Sequence, residues 1–194
     1  MLLSKEEKYR VANEVEEEFM NVFWHELEFA THTAKGIISH GRNIHVLPDI
    51  QDLNFWIELK CKNRRVYYND TGFSERLFNE YCGVQKLTKK PVIIAFKNTG
   101  KQALLEQSQL KENDAIMQNA LYGEYGICTN FVDKQGNPDW YGGYLCDLEL
   151  ARKQNKVTNQ VAKNNGETNV YFPLKVMRPI SVVLKELQKQ LCIY

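Results

Sequence analysis

The chain predicts an α/β fold, and three observations carry that expectation. Residues 4–27 repeat apolar side chains every three or four positions. Residues 44–60 hold two apolar runs separated by a short polar stretch. Residues 91–96 form an unbroken apolar run behind a second amphipathic segment. A 3.6-residue period makes one face of a helix apolar, alternation does the same for a strand, and a short continuous run suits a strand covered on both faces. Helix, strand, strand, helix and buried strand therefore follow one another from the N-terminus.

The first helix is expected over residues 4–27. Ser4 can cap it, with Glu7 three residues on as in a capping box, and Val11, Val15, Phe19, Val22, Phe23 and Leu27 line its apolar face. Its acidic run, Glu14, Glu16, Glu17 and Glu18, suits a solvated side. His40-Gly41-Arg42-Asn43 then reads as a loop, and Ile44-His45-Val46-Leu47 as a strand entering Pro48, where a hydrogen-bond ladder can stop. In the next strand, residues 55–60, alternation puts Glu58 and Lys60 on one face and Ile57 and Leu59 on the other. The polar stretch 51–54 can reverse the chain and set Asp49 beside Glu58. Asp70 or Thr71 can cap a helix running from about Phe73 to Lys89, with Phe73, Leu77, Tyr81 and Val84 on one face.

Beyond Asn98 the pattern is less regular. Residues 112–121 read as helical, 125–132 as a strand, 133–137 as a turn and 140–150 as a further strand. Residues 152–168 are polar and read as a surface loop, with ordering on a ligand as the alternative. Residues 170–174 predict a last short strand, and 180–191 a closing helix burying Val183, Leu184, Leu187 and Leu191.

Composition sets outer limits. A chain of 194 residues, 43% hydrophobic and 25% charged, is most economically one globular domain with a single core. No apolar run reaches the 18 residues a membrane span needs, and the first residues lack a signal-peptide core. Five scattered cysteines (Cys61, Cys82, Cys128, Cys146 and Cys192) suit free thiols in a reducing, cytoplasmic setting. His25, His32, His40 and His45 have no metal-ligand spacing.

The chemistry concentrates in residues 48–60. Two hard oxygen ligands, Asp49 and Glu58, and one ammonium, Lys60, converge on a small volume if the turn forms as expected. Magnesium prefers oxygen ligands and is typically held by one or two carboxylates plus substrate phosphate. At a phosphodiester such a metal can activate water, while a neighbouring lysine orients it and offsets developing charge. The plain alternative is an exposed hairpin with a same-face Glu–Lys ion pair. Glu-x-Lys alone favours that alternative; the preceding Pro48-Asp49, the flanking apolar runs and the feasible turn favour a site.

Pro48-Asp49 and Glu58-Leu59-Lys60 resemble the motif of the PD-(D/E)xK nuclease superfamily, which includes restriction endonucleases, Holliday-junction resolvases and phage-type exonucleases. The resemblance implies a restriction-endonuclease-like mixed central sheet flanked by helices, here with a C-terminal extension of strands and a closing helix. It implies a single nuclease-like domain over 1–194, with its core in about 1–97 and 138–194 and an insertion at about 98–137. It also implies Mg²⁺-dependent hydrolysis of DNA, with Mn²⁺ able to substitute. Asp49 and Glu58 would be the metal ligands and Lys60 the water-positioning cation. Ala12-Asn13-Glu14-Val15-Glu16 resembles the small-x-x-x-Glu segment of resolvases, which makes Glu16 a further acidic catalytic group and Glu18 its competitor. Lys62, Arg64, Arg65 and Arg42 are expected to hold the nucleic-acid backbone.

A net charge of +1 counts against nucleic-acid binding, although Lys60 to Arg65 and Lys86 to Lys101 are locally cationic. Three rivals share the pattern: a non-enzymatic binding or assembly protein on the same fold, an RNA endonuclease with the same metal chemistry, and a small restriction or homing enzyme. Cutting both strands with one site per chain would favour a homodimer.

Overall fold

In the computed structural model, α1 (Lys5–Val22) leads to a short strand β1 (Thr31–His32) and a hairpin of β2 (Ile37–His40) and β3 (Asn43–Val46). Then come β4 (Ile50–Gln51), β5 (Trp56–Cys61), β6 (Asp70–Ser74), α2 (Glu75–Thr88) and β7 (Val92–Lys97). The C-terminal part contributes β8 (Trp140–Tyr144), α3 (Leu145–Gln154), β9 (Gln160–Val161), β10 (Thr168–Pro173), β11 (Arg178–Pro179) and α4 (Ile180–Leu191). The structure describes residues 5–27, 29–34, 36–61, 70–97, 140–154, 160–161 and 168–191. The expected cap Ser4, the cations Lys62, Arg64 and Arg65, and the elements expected within 98–137 lie outside the described residues.

The central sheet is mixed, with six strands in the order β1-β4-β5-β7-β8-β11. β5 and β7 pair in parallel, from Trp56 opposite Val92 to Cys61 opposite Lys97, and the other pairings are antiparallel. A parallel pair needs a long crossover, and α2 supplies it. The helix stops where Lys89 turns left-handed (φ 59°), its N–H bonding the Gln85 carbonyl at 3.1 Å, and Pro91 follows. β7 is buried from Val92 to Phe96.

Helices cover both faces of this sheet. On one face Ile57, Leu59, Ile93 and Ala95 meet Phe19 and Phe23 of α1 and Ile180, Val183, Leu184 and Leu187 of α4. On the other, Trp56, Ile94, Phe96 and Tyr141 meet Phe78, Tyr81 and Val84 of α2 and Leu145 and Leu148 of α3. Phe73, Val170 and Phe172 join that second face from a three-stranded sheet ordered β6-β10-β9. Among the described residues no helix is long and apolar enough to cross a membrane.

The structure corrects several sequence expectations. Phe73 does not start a helix; it pairs with Val170 in β6, and the helix begins at Glu75. Its spacing to Leu77 and Tyr81 matched a helical face because a strand residue and a helix residue entered the same core. Residues 140–150 split into β8 and α3 at Tyr144, because Leu145, Leu148 and Ala151 bury one helical stripe. Residues 44–47 do not pair with the Glu58 strand; β3 pairs with β2, and the shorter β4 takes the place beside β5. Gln160 and Val161, expected in a loop, form an edge strand on β10. Val22, expected on the buried face of the first helix, is 55% exposed, and α1 ends at this residue.

β8 runs flush against β7, with Gly142 opposite Ala95. A methyl group at Gly142 would overlap the backbone carbonyl oxygen of Ile94 and crowd Ile180. Backbone cannot yield as a flexible side-chain tip can. Gly142→Ala is therefore expected to destabilise the fold by roughly 1–3 kcal/mol, measurable by denaturant unfolding. An unchanged midpoint would mean that β8 does not approach β7 this closely.

Candidate active site

Asp49 is fixed by backbone on two sides. The Thr33 hydroxyl donates to the Pro48 carbonyl at 2.6 Å, and the Thr33 N–H to the Asp49 carbonyl at 3.0 Å. The Leu59 N–H donates to Asp49 Oδ2 at 2.8 Å, so the carboxylate is tied to β5. The turn joining β4 to β5 is held by the Asp52 N–H on the Phe55 carbonyl at 3.0 Å and the Asn54 N–H on Asp52 Oδ1 at 3.2 Å. The second bond is an Asx-type turn, for which aspartate is suited. Ile50 opposes Ile57, and one step outward the register sets Asp49 against Glu58.

Glu58 shares the Trp56 face of β5, the face covered by α2, and is 2% exposed. Lys60 lies two residues further on the same face, and its ammonium forms an ion pair with Glu58 Oε1. The Lys60 Nζ also stands 5.6 Å from the centre of the Phe73 ring and 6.0 Å from that of Tyr81. Glu58 Oε2 is buried without a hydrogen-bond partner. Tyr81, on α2, favours the charged form of the same carboxyl.

Burial pushes the Glu58 carboxyl up to about 7; the Lys60 ammonium opposes this, and the Asp49 charge adds to it. Burial likewise drives the Tyr81 phenol far above its ordinary range, reinforced by Glu58, so it remains protonated at neutral pH. A carboxylate desolvated to this degree, with one oxygen unsatisfied, is a poor stability device. It is the kind of group found where charge is used for binding or chemistry.

The other candidates are placed as follows. Glu16 on α1 pairs with His32 Nδ1 at 3.0 Å. His32 opposes Ile50, whose side chain belongs to the α1 side of the sheet, so Glu16 sits across the sheet from Glu58 and Lys60. Its competitor Glu18 pairs with Lys97 at the end of β7. Arg42 is exposed in the turn between β2 and β3, beside Gly41, whose φ of 62° suits glycine. Sequence reasoning placed Tyr81 and Phe73 only as core residues and missed their contact with Lys60. The available signal was that a buried tyrosine usually seeks a partner for its hydroxyl.

Asp49 and Glu58 are the residues here that could hold a metal. Among the described residues no group of three or more His, Cys, Asp or Glu side chains is arranged to do so. Two carboxylates, one presenting a buried oxygen without a partner, still fit a hard cation that completes its shell with water and phosphate.

No family description matches the chain, and no curated protein matches it. Among solved structures it is similar to that of D212, a nuclease from a fusselovirus, with a TM-score of 0.43 and 8% sequence identity over 98% of each chain.

Proposed function

We propose that the protein is a divalent-metal-dependent endonuclease acting on DNA, with Asp49, Glu58 and Lys60 as its catalytic set. The observation that carries this reading is the Glu58 carboxylate: buried, beside Asp49, paired through one oxygen with Lys60 and unsatisfied at the other. Asp49 and Glu58 would hold Mg²⁺ or Mn²⁺, which supplies Lewis acidity and a more acidic bound water. Asp49 keeps its orientation through the Leu59 N–H. Lys60 presents a fixed positive charge that can orient an attacking water and offset charge on the phosphoryl oxygens. Phe73, Tyr81 and the buried β5 keep bulk water from the inner side, which strengthens each of these interactions.

The exposed Arg42, together with the cations of residues 62–65, is proposed to hold the backbone, and a homodimer would allow both strands to be cut. Glu16 enters the proposal only through His32 and β1, whose next residue, Thr33, grips Pro48 and Asp49.

The test is cleavage of linear duplex, branched and single-stranded DNA and of RNA, with Mg²⁺, Mn²⁺ or a chelator. DNA cleavage that requires the metal is expected. Cleavage of RNA alone would move the substrate to RNA. Binding without cleavage of any substrate would favour a non-enzymatic assembly protein on this fold.

A further inference from the structure

The backbone at Pro48-Asp49 is not held by regular strand pairing. β4 begins only at Ile50, so Asp49 stands just outside it, and Pro48 has no N–H to give to a ladder. Pro48 is nevertheless buried, and a carbonyl withdrawn from water needs a donor. Thr33 supplies it: its hydroxyl donates to the Pro48 carbonyl at 2.6 Å, while its N–H donates to the Asp49 carbonyl at 3.0 Å. The Thr33 carbonyl is engaged as well, accepting the Gly36 N–H at 2.9 Å, and the Gly36 carbonyl accepts the Leu47 N–H at 2.9 Å. Within this turn Ala34 lies in the left-handed region (φ 49°), which is unfavourable to a residue with a Cβ and persists only where neighbouring bonds over-determine it.

The two carbonyls that Thr33 grips flank the Asp49 Cα. Each peptide unit is planar, so holding both units fixes φ and ψ at Asp49 and with them the direction of its side chain. The Leu59 N–H then meets Asp49 Oδ2 at 2.8 Å. We propose that Thr33 is a positioning residue for the candidate site, its hydroxyl aiming the Asp49 carboxylate toward the cation position shared with Glu58. This inference rests on the metal-site reading of Asp49 and Glu58 given above. Partners that orient a metal ligand from behind typically contribute 10- to 100-fold to metal affinity or activity.

The experiment compares the full-length wild type with Thr33→Val, Thr33→Ser and Thr88→Val, by calorimetric titration with Mn²⁺ alone and by amide hydrogen exchange without metal. Valine keeps the shape of threonine and loses the hydroxyl, whereas serine keeps the hydroxyl. Thr88, whose hydroxyl accepts from Trp56 Nε1 at 3.1 Å and donates to the Val84 carbonyl at 2.9 Å, controls for the loss of a bonded hydroxyl elsewhere. Both valine variants should melt earlier than the wild type. Thr33→Val should also bind Mn²⁺ roughly 10-fold more weakly and exchange the Leu59 amide about 10-fold faster relative to the amides of β7. Thr33→Ser should restore both, and Thr88→Val should change neither. Unchanged Mn²⁺ affinity in Thr33→Val would overturn the proposal, as would an equal loss in Thr88→Val or in Thr33→Ser. So would weaker Mn²⁺ binding with Leu59 protection unchanged, since Asp49 would not have moved. A wild type that binds Mn²⁺ but cuts nothing ends the nuclease reading, and the titration still decides the role of Thr33. A wild type that takes up no Mn²⁺ ends both.

Discussion

Lys60→Ala is expected to cleave DNA about 10²- to 10³-fold more slowly than the wild type while binding it almost as well. The substitution leaves Asp49 and Glu58 in place and removes only the ammonium that pairs with Glu58 Oε1. Loss of one preorganised charge at the developing transition state typically costs that factor, whereas one cation is a small part of a multi-contact electrostatic footprint on DNA. Single-turnover cleavage and filter binding, both in magnesium, separate the two quantities. Cleavage at the wild-type rate would mean that Glu58-Leu59-Lys60 is an ordinary charged strand, and equal losses of binding and cleavage would make Lys60 a phosphate contact instead.

Glu58→Gln should abolish metal-dependent cleavage and at the same time stabilise the metal-free protein at alkaline pH. Burial raises the Glu58 carboxyl from its ordinary 4.5 to about 7, so the folded state holds that proton more tightly than the unfolded chain. Its contribution to stability is fully present below about pH 4.5 and is lost as pH rises through about 7. Above that, the wild type carries an ionised buried carboxylate costing on the order of 3 kcal/mol, which the neutral amide avoids. Part of the gain is offset because Lys60 loses its ion-pair partner. Unfolding followed from pH 4 to 8 with a chelator present should show the two curves close at pH 4 and Glu58→Gln above the wild type by about 1–3 kcal/mol at pH 8. Adding Mg²⁺ should then raise the wild-type midpoint and leave the variant unmoved. A variant less stable than the wild type at pH 8 would mean that the Glu58–Lys60 pair stabilises the fold rather than serving a site.

Much of this molecule follows from local pattern. The 3.6-residue period marked the first and last helices, and the last, Ile180–Leu191, begins and ends as expected. The run at Val92–Phe96 was legible as a strand buried on both faces because every side chain in it is apolar. Alternation in residues 55–60 was enough to place Glu58 and Lys60 on one face, since a strand has only two faces to choose from. The α/β class and the mixed sheet flanked by helices are what those elements build.

What remained hidden depends on partners distant in sequence. Residues 70–74 form a strand only because residues 169–173 are there to pair with them, and the local pattern around Phe73 fits a helix equally well. The strand beside β5 is the two-residue β4 and not the more hydrophobic run at 44–47, because the latter is taken up by β2. Glu16 and Glu58 could not be assigned to opposite faces until β1 was seen to pair His32 with Ile50. The sequence by itself determined which residue types crowd into 48–60 and which way they point along one strand, because those are properties of adjacent residues. Only the tertiary structure decided that Glu58 is buried, that Tyr81 and Phe73 close around Lys60 and that α1 covers the far side of the sheet, because burial and long-range pairing depend on which surfaces the whole chain brings together.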